Sequence, residues 1–239
     1  MAFSSVLSIV QSYCREYAIP VPNVLTGSTD AGALQMRELC QTVGEYIWSA
    51  TDWQQCSRRV VFAANGLANL GNIYTLCPEN MASIVPRTFW NNSLRREMYG
   101  PVNDLNWQSQ LSLAPPGPLY YFRISNNNLE TSAIVPLNHS LSLIYKSFNW
   151  VLAGTTPKQF YTLDTDTSVF SDQLVKAGLR AHWLRAKQMP HKYEFERFEM
   201  LVLQEASQNT VRPILSTDGE STTHRPGILV PIGNWTVGP

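Results

Sequence analysis

The chain has 239 residues, with eighteen Lys and Arg balanced by eighteen Asp and Glu, so its formal charge at pH 7 is zero. That length buries a real core over one or two domains, and the charge balance excludes a protein that grips nucleic acid through an excess of cations. It leaves open a neutral channel through which DNA merely passes.

From Phe3 to Tyr17 the apolar residues Phe3, Val6, Leu7, Val10, Tyr13, Cys14 and Tyr17 recur at spacings of three and four, which predicts an amphipathic helix ending at Ile19-Pro20. This opening carries no basic leader or cleavage site and is too often interrupted by polar residues for a signal peptide or membrane span. A turn-rich link, 20–32, offers Ser28, Thr29 and Asp30 as N-caps for a second helix through Met36, Leu39, Cys40, Val43, Ile47 and Trp48.

After Trp53 the period falls towards two. Arg58–Phe62 and Ile73–Leu76 read as short strands separated by Gly66, Asn69, Gly71 and Asn72. Asn103 caps a predicted short helix carrying Trp107 and Leu111, ended by the breaker Pro115-Pro116-Gly117-Pro118. Leu119–Ile124 and Ser140–Lys146 are strand-like, with Asn126-Asn127-Asn128 as a turn, and the β region is expected to close near Phe160. Helical spacing returns over 171–189 and 193–208, with Pro190 between them. Trp90, Trp107, Phe122, Tyr145 and Trp150 are expected to fill the β-domain core.

The fold class is thus α+β: a helical bundle built from N-terminal and C-terminal helices with an inserted antiparallel β-rich domain, plus an extended C-terminal arm. The expected divisions are 1–55 and 168–209 for the bundle, 56–167 for the inserted domain and 210–239 for the arm. The arm contains Pro213, Pro226, Pro231 and Pro239 together with Ile214, Leu215, Ile228, Leu229, Val230, Ile232 and Trp235. Those apolar clusters suit docking on a neighbouring subunit or another protein. At ~3.3 Å per residue thirty residues reach at most roughly 100 Å, against a radius of gyration of about 18 Å for a domain of this size.

Little in the chain points to catalysis. Asp164, Asp166 and Asp172 invite a hard cation, but an EF-hand counted from Asp164 would need glycine and glutamate where Val169 and Val175 stand, and Asp and Thr before a helix are ordinary turn and cap residues. His139, His182, His191 and His224 have no nucleophile-elbow context, and GxSxG, GxGxxG and GxxxxGK[ST] are absent, so no cofactor is expected. Cys14, Cys40, Cys56 and Cys77 lack CxxC spacing and read as free thiols of a reducing cytoplasm. The pairs Arg58-Arg59 and Arg95-Arg96 offer small basic surfaces, while Arg180, His182, Arg185 and Lys187 read as a solvated helix face or as partners of Glu194, Glu196 and Glu199.

Arg87-Thr88-Phe89-Trp90-Asn91, Tyr99-Gly100-Pro101, Trp107, Phe122-Arg123-Ile124, Tyr145-Lys146-Ser147 and Asp164-Thr165-Asp166-Thr167, followed by Trp183, Lys187, Tyr193 and Phe195, occur in this order. Together they resemble the landmarks of head-to-tail adaptor proteins of tailed bacteriophages, and the opening helices resemble those of tail tubular protein A-like connectors. The resemblance runs to Gln208. It implies a structural virion protein at the neck between capsid and tail, made in the host cytoplasm. It further implies a dodecameric ring of copies of itself that docks on the portal protein, receives a tail or nozzle protein, and conducts genomic DNA without sequence-specific binding. Neither enzyme activity nor membrane association is implied. Another neck or tail-completion protein is the nearest alternative reading, and a metal-dependent nuclease acting through Asp164 and Asp166 the remote one. Gln188-Met189-Pro190 stands where family members often carry glycine after the lysine equivalent to Lys187.

Overall fold

A computed structural model describes residues 3–112 and 120–209. The Pro115–Pro118 breaker and the seven apolar arm residues, Ile214 to Trp235, lie outside the described residues. Helix α1 spans Val6–Glu16, shorter than the apolar pattern, because Ser5 takes the N-cap position and its hydroxyl accepts from Ser8 N. Phe3 precedes the helix and is exposed. Helix α2 spans Ala31–Ala50; of the three candidate caps it is Asp30 whose carboxylate accepts from Ala33 N at 2.9 Å.

The large sheet contains β1 (Ser57–Ala63), β2 (Asn69–Asn72), β3 (Met81–Ile84), β4 (Trp90–Asn91), β5 (Arg96–Tyr99), β6 (Tyr120–Ser125), β7 (Asn128–Thr131) and β8 (Ser140–Ser147). Its order is β1-β8-β4-β5-β6-β7-β2, with β3 also paired to β8. The pairings are antiparallel apart from β5 with β6. That parallel pair is reached through α4 (Asp104–Ser112), a crossover of the kind parallel neighbours need. As expected, Asn106 N donates to the Asn103 side chain at α4's start, and Asn126 and Asn127 make the β6–β7 turn with left-handed backbone angles.

The expected strand over Ile73–Leu76 is instead a single helical turn, α3. Asn72 accepts from Tyr74 N at 2.9 Å and caps that turn, while the strand falls on the preceding residues, where Gly71 at φ +114 carries a bulge against β7. Apolar alternation over four residues fits either element; the asparagine decides.

Two hydrophobic clusters organise these elements. One lies within the large sheet around Phe89, Met98, Phe122, Leu129, Leu141, Leu143 and Tyr145. The other joins α1, α2, α5 (Asp172–Ala186) and α6 (Lys192–Asn209) with Trp53, Trp150, Tyr161 and Phe170. Trp150 therefore belongs to the helical cluster, not to the β core: it stacks near Phe170 and meets Tyr161 edge-on. Trp90 is only half-buried, because strand alternation turns Phe89 inward in its place.

Close helix approach depends on two glycines. A Cβ at Gly44 would stand 1.9 Å from the Trp150 ring, and one at Gly178 would stand 2.5 Å from Val43 Cγ1 and 2.9 Å from Phe198. Three short strands, β9 (Val151–Ala153), β10 (Thr156–Lys158) and β11 (Thr167–Ser168), form a second sheet in the order β10-β9-β11. Val151 of β9 packs in the helical cluster, and β11 bridges to Ser5 beside α1. The architecture is mixed α+β with an antiparallel-rich sheet. Among the described residues no helix is long and apolar enough to cross a membrane.

Candidate functional site

Asp164 and Asp166 sit on the turn before β11, and three of their four carboxylate oxygens accept from the protein's own backbone. The Asp164 carboxylate accepts from Thr26 N at 2.7 Å and from Leu25 N at 3.2 Å, anchoring the link between the first two helices. Asp166 is fully buried; its Oδ2 accepts from Thr162 N and Leu163 N and pairs with Lys158 Nζ at 2.6 Å, while its Oδ1 has no partner. Val6 N donates to the Asp166 carbonyl, and the Asp172 carboxylate accepts from Ser4 N. Among the described residues no cluster of three or more His, Cys, Asp or Glu is arranged to hold a metal. This turn is a clasp on the start of α1.

The basic run of α5 does not form one solvated face. Arg180 lies over the Tyr17 ring, donates to Tyr17 Oη at 2.5 Å and pairs with Glu194 at 2.8 Å. The groove beside it, about 440 Å³, alternates Glu16, Asp172 and Glu194 with Lys176, Arg180 and Arg197. Three charges of each sign give it no net attraction for an anion. His182 corrects the surface expectation: it is buried among Tyr46, Phe195 and Phe198, with ring centroids 5.6–6.2 Å away. Burial, assisted by the Arg185 charge, pushes its pKa below the usual histidine range, so the ring is neutral at pH 7. Nothing in the spacing marked this residue, because Tyr46 comes from another helix.

The motif residues do not gather at one site. Phe89, Gly100, Trp107 and Arg123 gather around β6: Phe89 meets Phe122 edge-on at 5.0 Å, and a Cβ on Gly100 would fall 2.4 Å from Phe122 O. The Arg123 guanidinium lies 4.6 Å from the Trp107 ring and pairs with Glu130 at 2.8 Å and Asp104 at 3.4 Å. Arg87, exposed and at φ +61, lies on a turn before Phe89, and Pro101 follows Gly100 through a cis peptide bond. Asp164 and Asp166 hold α1, while Lys187 lies over the half-buried Trp183 at 4.5 Å and donates to Gln35. Tyr193 stands apart on the outer side of α6.

That outer side exposes large apolar side chains. Phe198 and Val202 of α6 are buried, yet Tyr193, Met200 and Leu203 on the same helix are 73 %, 63 % and 69 % exposed. Their spacing of seven and three puts them on one stripe, and exposed Met189 sits on the turn just before the helix. The chain passes directly from this helix into residues 210–239. Helical periodicity reported the buried stripe, whereas the outer one became visible only once the packing partners were known. No protein-family model matches this chain, and comparison with curated proteins finds no significant match.

Proposed function

We propose that this protein is a structural head-to-tail adaptor of a tailed bacteriophage, assembling as a dodecameric ring between portal and tail through which the genome leaves. The observation that carries the reading is the second apolar stripe of α6, Tyr193, Met200 and Leu203. The outer side of α6 sets these three apolar residues beside the Lys192–Glu196 pair with no packing partner among the described residues of this copy, whereas the inner side is already filled by α5 and by Tyr46 of α2. A closed ring asks each copy to present two different complementary faces, and α6 is one such face, seated on the next copy.

In this reading helices from both halves of the chain form a bundle around the channel, and the inserted β domain faces outward to receive a tail or nozzle protein. The order of motifs from Arg87 to Tyr193 supports it by resemblance. A balanced charge suits a lumen that must release DNA. Electron microscopy of the purified chain, alone and mixed with portal rings, tests the proposal. Rings are expected, and Met200→Asp with Leu203→Asp disperses them to single folded copies. A doubly substituted protein that still forms rings refutes the role of this stripe.

A further inference from the structure

Strand β1 ends the large sheet and is seven residues long. The direction of its backbone groups follows from its neighbour β8. Asn92 N donates to Ser140 O and Val85 N to Ile144 O, so Ser140 and Ile144 turn away from β1. Alternation along a strand then turns Leu141, Leu143 and Tyr145 towards their register partners Phe62, Val60 and Arg58. The N–H and C=O groups of Arg59, Val61 and Ala63 therefore point off the edge of the sheet. Among the described residues no strand pairs with β1 on that side and no hydrogen bond reaches these groups.

This edge is only partly protected. Its register against β8 runs without a bulge and it contains no proline; Arg58 and Arg59 charge its first half, while Val61, just past the middle, is 56 % exposed. A long, regular edge with an apolar middle is a template for another strand.

We infer that β1 receives the segment Gly227–Ile232 of a second copy by strand addition. The inference rests on the reading that copies assemble and specifies one contact that joins them. Residues 227–232 read Gly-Ile-Leu-Val-Pro-Ile. Pro231 has no N–H, so it must face away from the strand it joins, and only one parity satisfies this. That parity sets Ile228, Val230 and Ile232 opposite Ala63, Val61 and Arg59 in an antiparallel register, with their donors and acceptors towards β1. Leu229 and Pro231 then share the side-chain face of Val60 and Phe62, which already pack on the sheet core. The seventeen residues 210–226 reach at most roughly 55 Å, well beyond the ~18 Å radius of gyration of one copy.

The test uses the full chain carrying Ala63→Cys and Ile228→Cys, treated with a short bifunctional thiol linker; the four native cysteines are buried. Linked species of two or more chains on a denaturing gel, with neither single substitution giving them, are the expected result. Adding Val61→Pro removes one outward N–H and leaves the β1–β8 ladder intact, and it lowers linking about tenfold, equivalent to ~1.4 kcal/mol. Linking within a single chain, no linking, or linking indifferent to Val61→Pro overturns the inference. Rings that form normally while no link appears leave the adaptor reading standing and sink strand addition alone. Links between chains in a protein that never closes a ring do the reverse.

Discussion

Replacing Trp107 with Ala tests how the β domain holds α4. Trp107 is 3 % exposed, and it is the one buried residue of that helix, since Leu105 and Leu111 both face solvent. Truncating a buried Trp to Ala costs ~3–5 kcal/mol. The stacked guanidinium of Arg123 loses its ring face as well, worth about 0.5–1 kcal/mol at a partly exposed site. Set against a total stability of ~5–15 kcal/mol, this is a large fraction, and at roughly 2–4 °C per kcal/mol for a chain of this size the melting temperature falls by about 7–24 °C. Thermal melts by circular dichroism measure the loss, and hydrogen exchange locates it: amides of residues 104–112 lose protection before those of α2. Trp107→Phe retains most of the ring contact and recovers at least half of the loss. A Trp107→Ala protein melting within a degree of the parent refutes the claim that this indole anchors the helix.

Lys158→Met leaves the Asp166 carboxylate buried without its cation. Because the Thr162 and Leu163 amides still serve the same oxygen, the expected cost sits near the low end for a broken buried pair, roughly 3 kcal/mol by urea titration. The His182 ring binds protons more weakly in the folded chain than when unfolded. Its contribution to stability is therefore present above the unfolded pKa of about 6.5 and is lost as pH falls below it. Urea midpoints measured from pH 7.5 down to pH 5 decline for the parent, and His182→Leu flattens that decline; an unchanged slope contradicts the buried neutral ring.

Helices α2 and α5 were legible because each has one apolar stripe and a side-chain cap, Asp30 or Ser171, just ahead of it. Strands β1, β6 and β8 were legible from alternation between turn residues. Ile73–Leu76 was not, since four residues are too few to tell a helical from a strand period and the Asn72 cap settled the outcome. Trp150 was misassigned because it follows a strand of the large sheet in sequence, yet the space above Gly44 in α2, a hundred residues earlier, receives its ring. The α6 stripe and the β1 edge share a further obstacle: exposure is a property of the assembled sheet and helices, and no local pattern reports which side stays uncovered.

The clasp on α1 has a consequence for how the chain acquires its shape. Val6 and Leu7 amides find their acceptors on Asp166 and Asp164, and Gly44 waits for Trp150. During synthesis the opening helices thus leave the ribosome long before the residues that complete their environment exist. Their apolar sides stay uncovered for most of translation, and closing so large a loop makes this a slow step. A chain interrupted before residue 164 strands those helices without a home, which makes premature termination here a source of sticky fragments rather than of working half-proteins.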